Sequence, residues 1–319
     1  MKALTFSKFG SPEVLEYIEI PKPKISNNEI LVKMESIGLN YADIYRRKGN
    51  YHLKGNPPYL AGYEGAGIVA ESTVSNIKIG DRVAFTDVPF ANAEFVIVPE
   101  AHIIPLTKNI SFDLAASVLL QGLTAQYLST DSFQVKKNDV VLIHAASGGV
   151  GQILAQICKM KDAKVIGLSR NVSKLKIITD NKADFAIPLN ENWKQKVMEI
   201  TNNKGVDVVF DSVGSTLMDS FEVTKECGTV VFYGMSGGDP THIDPRMLMD
   251  TSKTLTGGDL WSYINSHEQR INRSKQLFNW ILNGDIVIAE PVKFKLSDGI
   301  KAHEYLESGD SSSKILLIP

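Results

Sequence analysis

The chain has 319 residues, of which 43% are hydrophobic, and a formal net charge of −2 at pH 7. A chain of this length is expected to form about two domains, and its hydrophobic content excludes a disordered polypeptide. The near-neutral charge, with no run of basic residues interleaved with aromatic ones, argues against a nucleic-acid partner.

The beginning of the chain and its most apolar stretch indicate a cytoplasmic protein. Lys2 and Lys8 interrupt the first residues, which lack the apolar segment of a signal peptide. The stretch 140–157 contains polar residues and glycines, so it predicts a buried strand and helix and no membrane span. Cys158 and Cys227 are predicted to be packed thiols in a reducing compartment, without a disulfide between them.

Residues 1–121 have the pattern of a compact, mostly antiparallel β domain. Turn signals rich in Gly and Pro separate short runs of strand-forming residues, which lie at 2–6, 29–36, 67–73, 82–86 and 94–98. Helices are predicted at 40–48 and 112–119.

A strand, a turn of small residues, a helix and a second strand follow at 140–174. The strands are predicted at 140–143 and 163–169, and the helix at 150–160. The turn reads Ala146-x-Gly148-x-x-Gly151, which is the dinucleotide fingerprint with Ala in place of the first Gly. Small residues let backbone amides and the helix N-terminus approach phosphate oxygens. The segment therefore predicts a dinucleotide-binding site.

The end of the second strand distinguishes the two nicotinamide cofactors. NAD sites usually place an acid there to bind the ribose 2′-OH, but no acid occurs between Asp162 and Asp180. Arg170 and Lys174 lie where a 2′-phosphate is expected, and Arg can bind phosphate through a bidentate fork. We therefore predict NADP(H). The alternative is that both residues are solvated at the start of a surface helix.

Strands and helices continue to alternate after this unit. Strands are predicted at 183–187, 206–211 and 228–234, and helices at 193–202 and 216–225. This pattern predicts a parallel sheet with helices on both faces and a ligand outside the carboxyl ends of the strands. The predicted cofactor contacts lie in the loops at those ends and are Ser147, Gly148, Gly149, Val150, Ser169, Arg170, Lys174, Ser212, Gly214, Gly234, Met235 and Ser236.

The C-terminal part predicts an amphipathic helix at 268–282, a strand near 292–294, a helix at 297–306 and a closing strand at 314–318. A terminal strand needs a partner ladder, so we expect this tail to return to the first domain. The predicted domains are therefore 1–121, completed by 262–319, and a cofactor-binding domain at 122–261.

Motifs along the whole chain resemble the medium-chain dehydrogenase/reductase superfamily, in particular its zinc-free quinone oxidoreductase branch. They are Gly38-Leu39-Asn40-Tyr41-Ala42-Asp43, Gly62-Tyr63-Glu64-Gly65-Ala66-Gly67, Gly80-Asp81-Arg82-Val83, Gly122-Leu123-Thr124-Ala125, His144-Ala145-Ala146-Ser147-Gly148-Gly149-Val150-Gly151, Asp211-Ser212-Val213-Gly214 and Ala302-His303-Glu304. The resemblance implies an α/β chain with a GroES-like, mostly antiparallel β catalytic domain, and a Rossmann domain with a doubly wound parallel sheet. It also implies a cofactor in the cleft and a homodimer or homotetramer, with 254–260 as the candidate edge strand.

The same resemblance bears on metal binding. Zinc alcohol dehydrogenases of this fold use a Cys and a His as ligands, and the matching positions here hold Asn40 and Tyr63. The first domain has no cysteine, the six histidines show no ligand spacing, and Glu64 alone cannot form a zinc site. We therefore expect no zinc, and we expect Tyr63 to fill the space of the metal.

Without a Lewis acid, a conjugated acceptor is the better hydride acceptor, because it delocalises the incoming charge itself. We therefore expect hydride transfer from NADPH to a quinone or an α,β-unsaturated carbonyl. Asn40, Tyr45 and Tyr51 are the predicted catalytic donors, through an amide and two phenols. The alternative for the two tyrosines is a surface or loop role. The resemblance further implies that Tyr41 and Thr124 lie near the nicotinamide.

Two other functions stay open at this point. An enal, enone or enoyl-thioester reductase would differ from a quinone reductase only in the shape of its acceptor pocket. An NADPH-binding redox sensor would hold the cofactor without turnover. The sequence does not distinguish these acceptors, nor one-electron from two-electron transfer.

Overall fold

A computed structural model describes residues 1–319, which divide into two units. The first unit comprises Met1–Leu120, Ile264–Phe278 and Ala289–Pro319, and the second comprises Gln121–Tyr263 and Asn279–Ile288. The segment 279–288 thus packs in the second unit, whereas the sequence-based boundary placed it in the first. No helix combines the length and the apolar character that a membrane span requires.

Sixteen strands and ten helices build these units. The strands, in chain order, are β1 (Lys2–Phe6), β2 (Leu15–Glu19), β3 (Glu29–Leu39), β4 (Tyr59–Leu60), β5 (Glu64–Ser72), β6 (Arg82–Thr86), β7 (Phe95–Pro99), β8 (Ile104–Pro105), β9 (Val140–Ile143), β10 (Lys164–Ser169), β11 (Phe185–Pro188), β12 (Val206–Asp211), β13 (Thr224–Phe232), β14 (Thr254–Gly257), β15 (Val292–Lys295) and β16 (Ile315–Ile318). The helices are α1 (Tyr41–Lys48), α2 (Phe112–Tyr127), α3 (Gly149–Met160), α4 (Leu175–Asp180), α5 (Trp193–Ile200), α6 (Leu217–Val223), α7 (Pro245–Thr251), α8 (Leu260–Tyr263), α9 (His267–Leu282) and α10 (Gly299–Ser308).

The first unit is built on a seven-stranded sheet in which β3 is central. The strand order is β15-β16-β3-β5-β6-β8, and β7 also pairs with β3. All these pairs are antiparallel except β15–β16. The terminal strand β16 pairs with β3, with Ile315 opposite Leu39, so the tail returns to the first unit as predicted. A second sheet, β2-β1-β4, shares the same apolar core.

The second unit contains a six-stranded parallel sheet in the order β11-β10-β9-β12-β13-β14. The order reverses next to β9, and in such sheets the crevice outside the strand ends at this reversal binds the ligand. The prediction of one domain with a mostly antiparallel sheet and another with a doubly wound parallel sheet is therefore confirmed. Strand β14 lies at one edge of the parallel sheet.

Two local predictions differ from the structure. Helix α2 continues through Gly122 to Tyr127, where the sequence pattern ended it at residue 119, because burial stabilises this glycine-containing turn. The predicted packing of both cysteines is wrong for one of them. Cys158 is buried in α3, and burial raises the pKa of its thiol to about 12, whereas Cys227 is exposed.

The core of the parallel sheet generates a stability prediction. Ile166 is fully buried in β10, opposite Leu142 of β9 and Phe185 of β11. We expect Ile166→Ala to lower the free energy of unfolding by about 2–5 kcal/mol, because it removes buried methyl groups and leaves a cavity. The same substitution at Ile79, which is 74% exposed, is the control and is expected to have an effect below about 0.5 kcal/mol. Equal shifts in chemical denaturation would contradict this packing.

Candidate active site

The turn between β9 and α3 presents backbone amides. Ala145 adopts a left-handed conformation (φ 48°), and its carbonyl accepts a hydrogen bond from the Gly148 amide at 2.8 Å. Gly148 precedes α3 without any side-chain cap. The first-turn amides of α3 are therefore left to an external acceptor, and the helix dipole favours an anion there.

Two glycines of the fingerprint lie close to neighbouring atoms. A Cβ at Gly151 would lie 2.6 Å from the carbonyl oxygen of Ala145, and one at Gly149 would lie 2.1 Å from Oε1 of Gln121. At Gly151 the clash is with the backbone of the turn, so α3 packs onto the turn only with glycine there, whereas at Gly149 a side chain would require Gln121 to move. These glycines thus keep the helix N-terminus open to a phosphate.

The end of β10 carries cations and no carboxylate. Ser147 Oγ lies 3.2 Å from Ser169 Oγ, which joins the turn to the end of this strand. The next residue, Arg170, is exposed and belongs to no ion pair, whereas Lys174 is buried. The alternative of two solvated residues therefore does not describe Lys174. Arg170 is available to an external anion.

A buried network shapes the loop after β12. Asp211 accepts hydrogen bonds from the amides of Val213 (2.8 Å) and Gly214 (3.1 Å) at one oxygen, and from the hydroxyls of Thr216 and Ser220 at the other. Burial alone would raise the pKa of Asp211, but the hydrogen bonds from Ser220 and from the amides of Gly214 and Val213 favour the ionised form, and the pKa is lowered. The loop is therefore fixed by an ionised carboxylate.

His144, the residue after β9, contacts the same network. Its Nε2 lies 3.0 Å from Ser220 Oγ, and burial lowers the pKa of its imidazole, which stays neutral. The loops after β12 and β13 also bond to each other, since the Ser236 amide donates to the Ser212 carbonyl at 3.0 Å. The structure thus assembles the predicted loop residues of the second unit at one sheet edge. These are Ser147, Gly148, Gly149, Val150, Ser169, Arg170, Ser212, Gly214, Gly234, Met235 and Ser236.

The first unit contains a second buried network, around Asn40. The Asn40 amide nitrogen donates to the carbonyl of Gly38 (3.2 Å) and to Glu64 Oε2 (2.9 Å), and its oxygen accepts from Lys314 Nζ at 2.7 Å. Lys314 also donates to Glu64 Oε2 at 2.7 Å, and the Leu120 amide donates to Glu64 Oε1 at 2.6 Å. Both hydrogens of the Asn40 amide are thus used inside the protein. In this conformation Asn40 has none left for the donor role that we predicted.

The network continues along α1 to Arg46. Asp43 Oδ2 accepts a hydrogen bond from the backbone N–H of Asn40 at 3.0 Å, and Asp43 Oδ1 lies 3.2 Å from Arg46 Nη1. The guanidinium of Arg46 stacks on the Tyr63 ring, with Cζ 3.5 Å from the ring centroid. Burial raises the pKa of Tyr63, so its phenol stays protonated.

Half-buried tyrosines line the open side of α1. The rings of Tyr41 and Tyr45 meet edge-on with centroids 5.4 Å apart, and Tyr45 and Tyr51 meet in the same way at 6.3 Å. Tyr51 also lies against His52, at 3.9 Å. The structure therefore brings Tyr45 and Tyr51 together, and places Tyr41 beside them. Thr124 lies in the second unit, on α2, and is buried.

Sequence reasoning missed Lys314, Asp43 and Arg46. Asp43 had a local signal, because Asn40 and Asp43 form a capping box at the start of α1. Lys314 had none, since 274 positions separate it from Asn40. No group of three or more His, Cys, Asp or Glu side chains is placed to hold a metal. The carboxylates of Glu64 and Asp43 instead face Lys314 and Arg46.

Comparison with known proteins agrees with this geometry. Residues 26–139 match the alcohol dehydrogenase GroES-like domain family, and residues 149–276 match the zinc-binding dehydrogenase family. Quinone oxidoreductase 1 of Escherichia coli is 36% identical over 329 residues, which covers 99% of each chain. A probable quinone oxidoreductase of Schizosaccharomyces pombe is 35% identical over 318 residues, covering 98% of this chain and 95% of the relative.

A solved structure shows the same likeness. The crystal structure of Escherichia coli quinone oxidoreductase complexed with NADPH superposes with a TM-score of 0.95 and 34% identity, over all of both chains. Fold and site thus define a medium-chain dehydrogenase/reductase. Within that superfamily, the chain belongs to the quinone oxidoreductase family, which confirms the predicted resemblance.

The ion pair of Lys314 generates a second prediction. Lys314→Met leaves the buried Glu64 carboxylate without a cation, and we expect it to lower the free energy of unfolding by about 3–5 kcal/mol. Adding Glu64→Gln removes the unpaired charge and is expected to restore part of the loss. Lys301→Met, which breaks an exposed pair with Asp298, is the control and should change stability by less than about 1 kcal/mol. Chemical denaturation of the wild type and the three variants measures these differences. A Lys314→Met variant as stable as Lys301→Met would be incompatible with the network.

Proposed function

We propose that the protein is an NADPH-dependent quinone oxidoreductase, which transfers hydride to a quinone or a similar conjugated acceptor without zinc. Full-length similarity to quinone oxidoreductases, one of them solved with NADPH, carries this proposal. The absence of an acid at the end of β10, where Arg170 is exposed, supports the phosphorylated cofactor.

The residues of the second unit fit the cofactor. The uncapped start of α3 suits a diphosphate, and Ser169, Arg170 and Lys174 suit the 2′-phosphate. The loops held by Asp211 supply Ser212, Gly214, Gly234, Met235 and Ser236 on the remaining side. When bound, NADPH supplies the hydride from C4 of its nicotinamide.

The residues of the first unit fit the acceptor. Tyr45 and Tyr51 present phenols, which can donate hydrogen bonds to an oxygen that gains negative charge. Tyr41 and Thr124 are proposed to orient the nicotinamide, and Tyr63 to close the space beside Arg46. Asn40 is reassigned: it holds α1, which carries Tyr41 and Tyr45, through its bonds to Glu64 and Lys314.

The cofactor proposal gives a direct binding prediction. We expect Arg170→Ala to raise the dissociation constant for NADPH about tenfold, a loss of about 1.4 kcal/mol, and to leave that for NADH nearly unchanged. Fluorescence titration of both reduced cofactors measures this difference. Lys176→Ala, which removes an exposed cation paired with Asp180, is the matched control. A parallel loss for NADH would show that Arg170 does not bind the 2′-phosphate.

The two tyrosines give a catalytic prediction. We expect Tyr45→Phe and Tyr51→Phe each to lower kcat for quinone reduction by about tenfold to hundredfold, with NADPH affinity unchanged, because each removes one donor to the developing oxyanion. Tyr17→Phe alters an exposed tyrosine in β2 and serves as the control. If turnover is unchanged in both variants, neither phenol takes part in the reaction.

An acceptor screen separates the remaining functions. NADPH oxidation by quinones but not by enones or enoyl thioesters supports the quinone reductase, and the reverse supports the alternative reductase. Tight NADPH binding without oxidation by any acceptor would instead support a redox-sensing protein.

We further propose a cytoplasmic homodimer or homotetramer. The position of β14 at an edge of the parallel sheet supports the oligomer, and light scattering tests it.

A further inference from the structure

Arg46 is an arginine held between two aromatic rings. It lies on α1 and is fully buried. Its Cζ is 3.5 Å from the centroid of the Tyr63 ring and 5.1 Å from that of Tyr51. A cation over an aromatic face is favourable, and more so when it is desolvated. The positive charge is therefore fixed directly behind one of the proposed phenol donors.

The hydrogen bonds of Arg46 are incomplete. Nη1 donates to Asp43 at 3.2 Å, and Nε donates to the His52 carbonyl at 3.2 Å, which ties the segment carrying Tyr51 to α1. Nη2 is buried and has no hydrogen-bond partner. An unmet donor on a buried cation lowers the free energy of unfolding, so its retention in the folded protein calls for an explanation. This cost points to a use for the charge in the reaction.

The neighbouring arginine provides a contrast on the same helix. Arg47 is equally buried, but its Nε donates to the Gly10 carbonyl, Nη1 lies 2.9 Å from His303 Nδ1, and Nη2 pairs with Glu307 at 2.5 Å. Every nitrogen of Arg47 is thus engaged, and no aromatic ring covers it. Arg47 joins α1 to α10, which is a structural role.

We propose that Arg46 is a positioning residue for the reduction: it holds Tyr51 in place and stabilises the negative charge that Tyr51 and the acceptor oxygen carry during the step. The inference rests on the proposed function. The acceptor gains two electrons and one hydrogen from C4 of the reduced nicotinamide, which is oxidised, and one proton from the Tyr51 phenol. The resulting tyrosinate faces Arg46 until solvent returns the proton.

The test compares Arg46→Gln, which removes the charge, with Arg46→Lys, which keeps it. Arg47→Gln is the matched control for the loss of a buried arginine from α1. Two readouts are used: kcat and KM for 1,4-benzoquinone and for its electron-rich tetramethyl derivative, and spectroscopic binding of 4-nitrophenolate and neutral nitrobenzene to the protein with NADP⁺. The anion imitates the charged acceptor oxygen.

We expect Arg46→Gln to lower kcat at least tenfold more for the tetramethyl quinone, which delocalises charge less well, with KM for NADPH unchanged. It should weaken 4-nitrophenolate binding about tenfold while nitrobenzene binding stays the same. Arg46→Lys should recover part of both losses, and Arg47→Gln should show no such selectivity. Should Arg46→Gln not fold, Asp43→Asn/Arg46→Gln replaces it, since it leaves no unpaired buried charge.

Two results would overturn the inference. One is an equal loss of kcat for both quinones in Arg46→Gln, and the other is an unchanged preference for the anion over nitrobenzene. A wild-type protein that oxidises NADPH with neither quinone would overturn the proposed function instead, and 4-nitrophenolate binding would then still decide whether Arg46 stabilises an anion.

Discussion

The ion pair between Lys314 and Glu64 is the interaction on which the arrangement of α1 in the first unit depends. It connects the residue before the terminal strand β16 with the first residue of β5, and Glu64 also receives the amide of Leu120 in α2. Asn40 bridges this pair to α1. Removing two charges from water is expensive, so such a pair stabilises the fold only when further hydrogen bonds satisfy it, as these do. Helix α1 therefore has one defined position.

The two units share a principle of construction. In each, buried carboxylates accept hydrogen bonds from backbone amides: Asp211 in the second unit, and Asp43 and Glu64 in the first. The networks hold the backbone that carries the proposed ligand-binding residues. Functional groups need this supporting layer, because a loop alone does not hold a side chain closely enough for reaction.

Charge is distributed differently in the two proposed binding regions. At the end of β10, Arg170 is exposed and unpaired, which suits an anion that arrives from solvent. In the first unit, Arg46 is buried between Tyr51 and Tyr63, where the low dielectric strengthens its effect on any charge formed nearby. This difference matches the two roles proposed for them, cofactor binding for Arg170 and stabilisation of transient charge for Arg46.

The sequence by itself determined the fold class, the fingerprint at 146–151 and the cationic end of β10, because each is encoded in neighbouring residues whose period and size dictate local conformation. The sequence indicated Tyr45 and Tyr51 as candidate donors, but it did not show that their rings meet. Tertiary structure alone decided that the side-chain amide of Asn40 bonds to Glu64 and Lys314. It also decided that Arg46, and not Arg47, contacts the rings of Tyr51 and Tyr63. Those contacts join residues far apart in the chain, and adjacent arginines on a helix differ only in the surroundings that the folded core gives them.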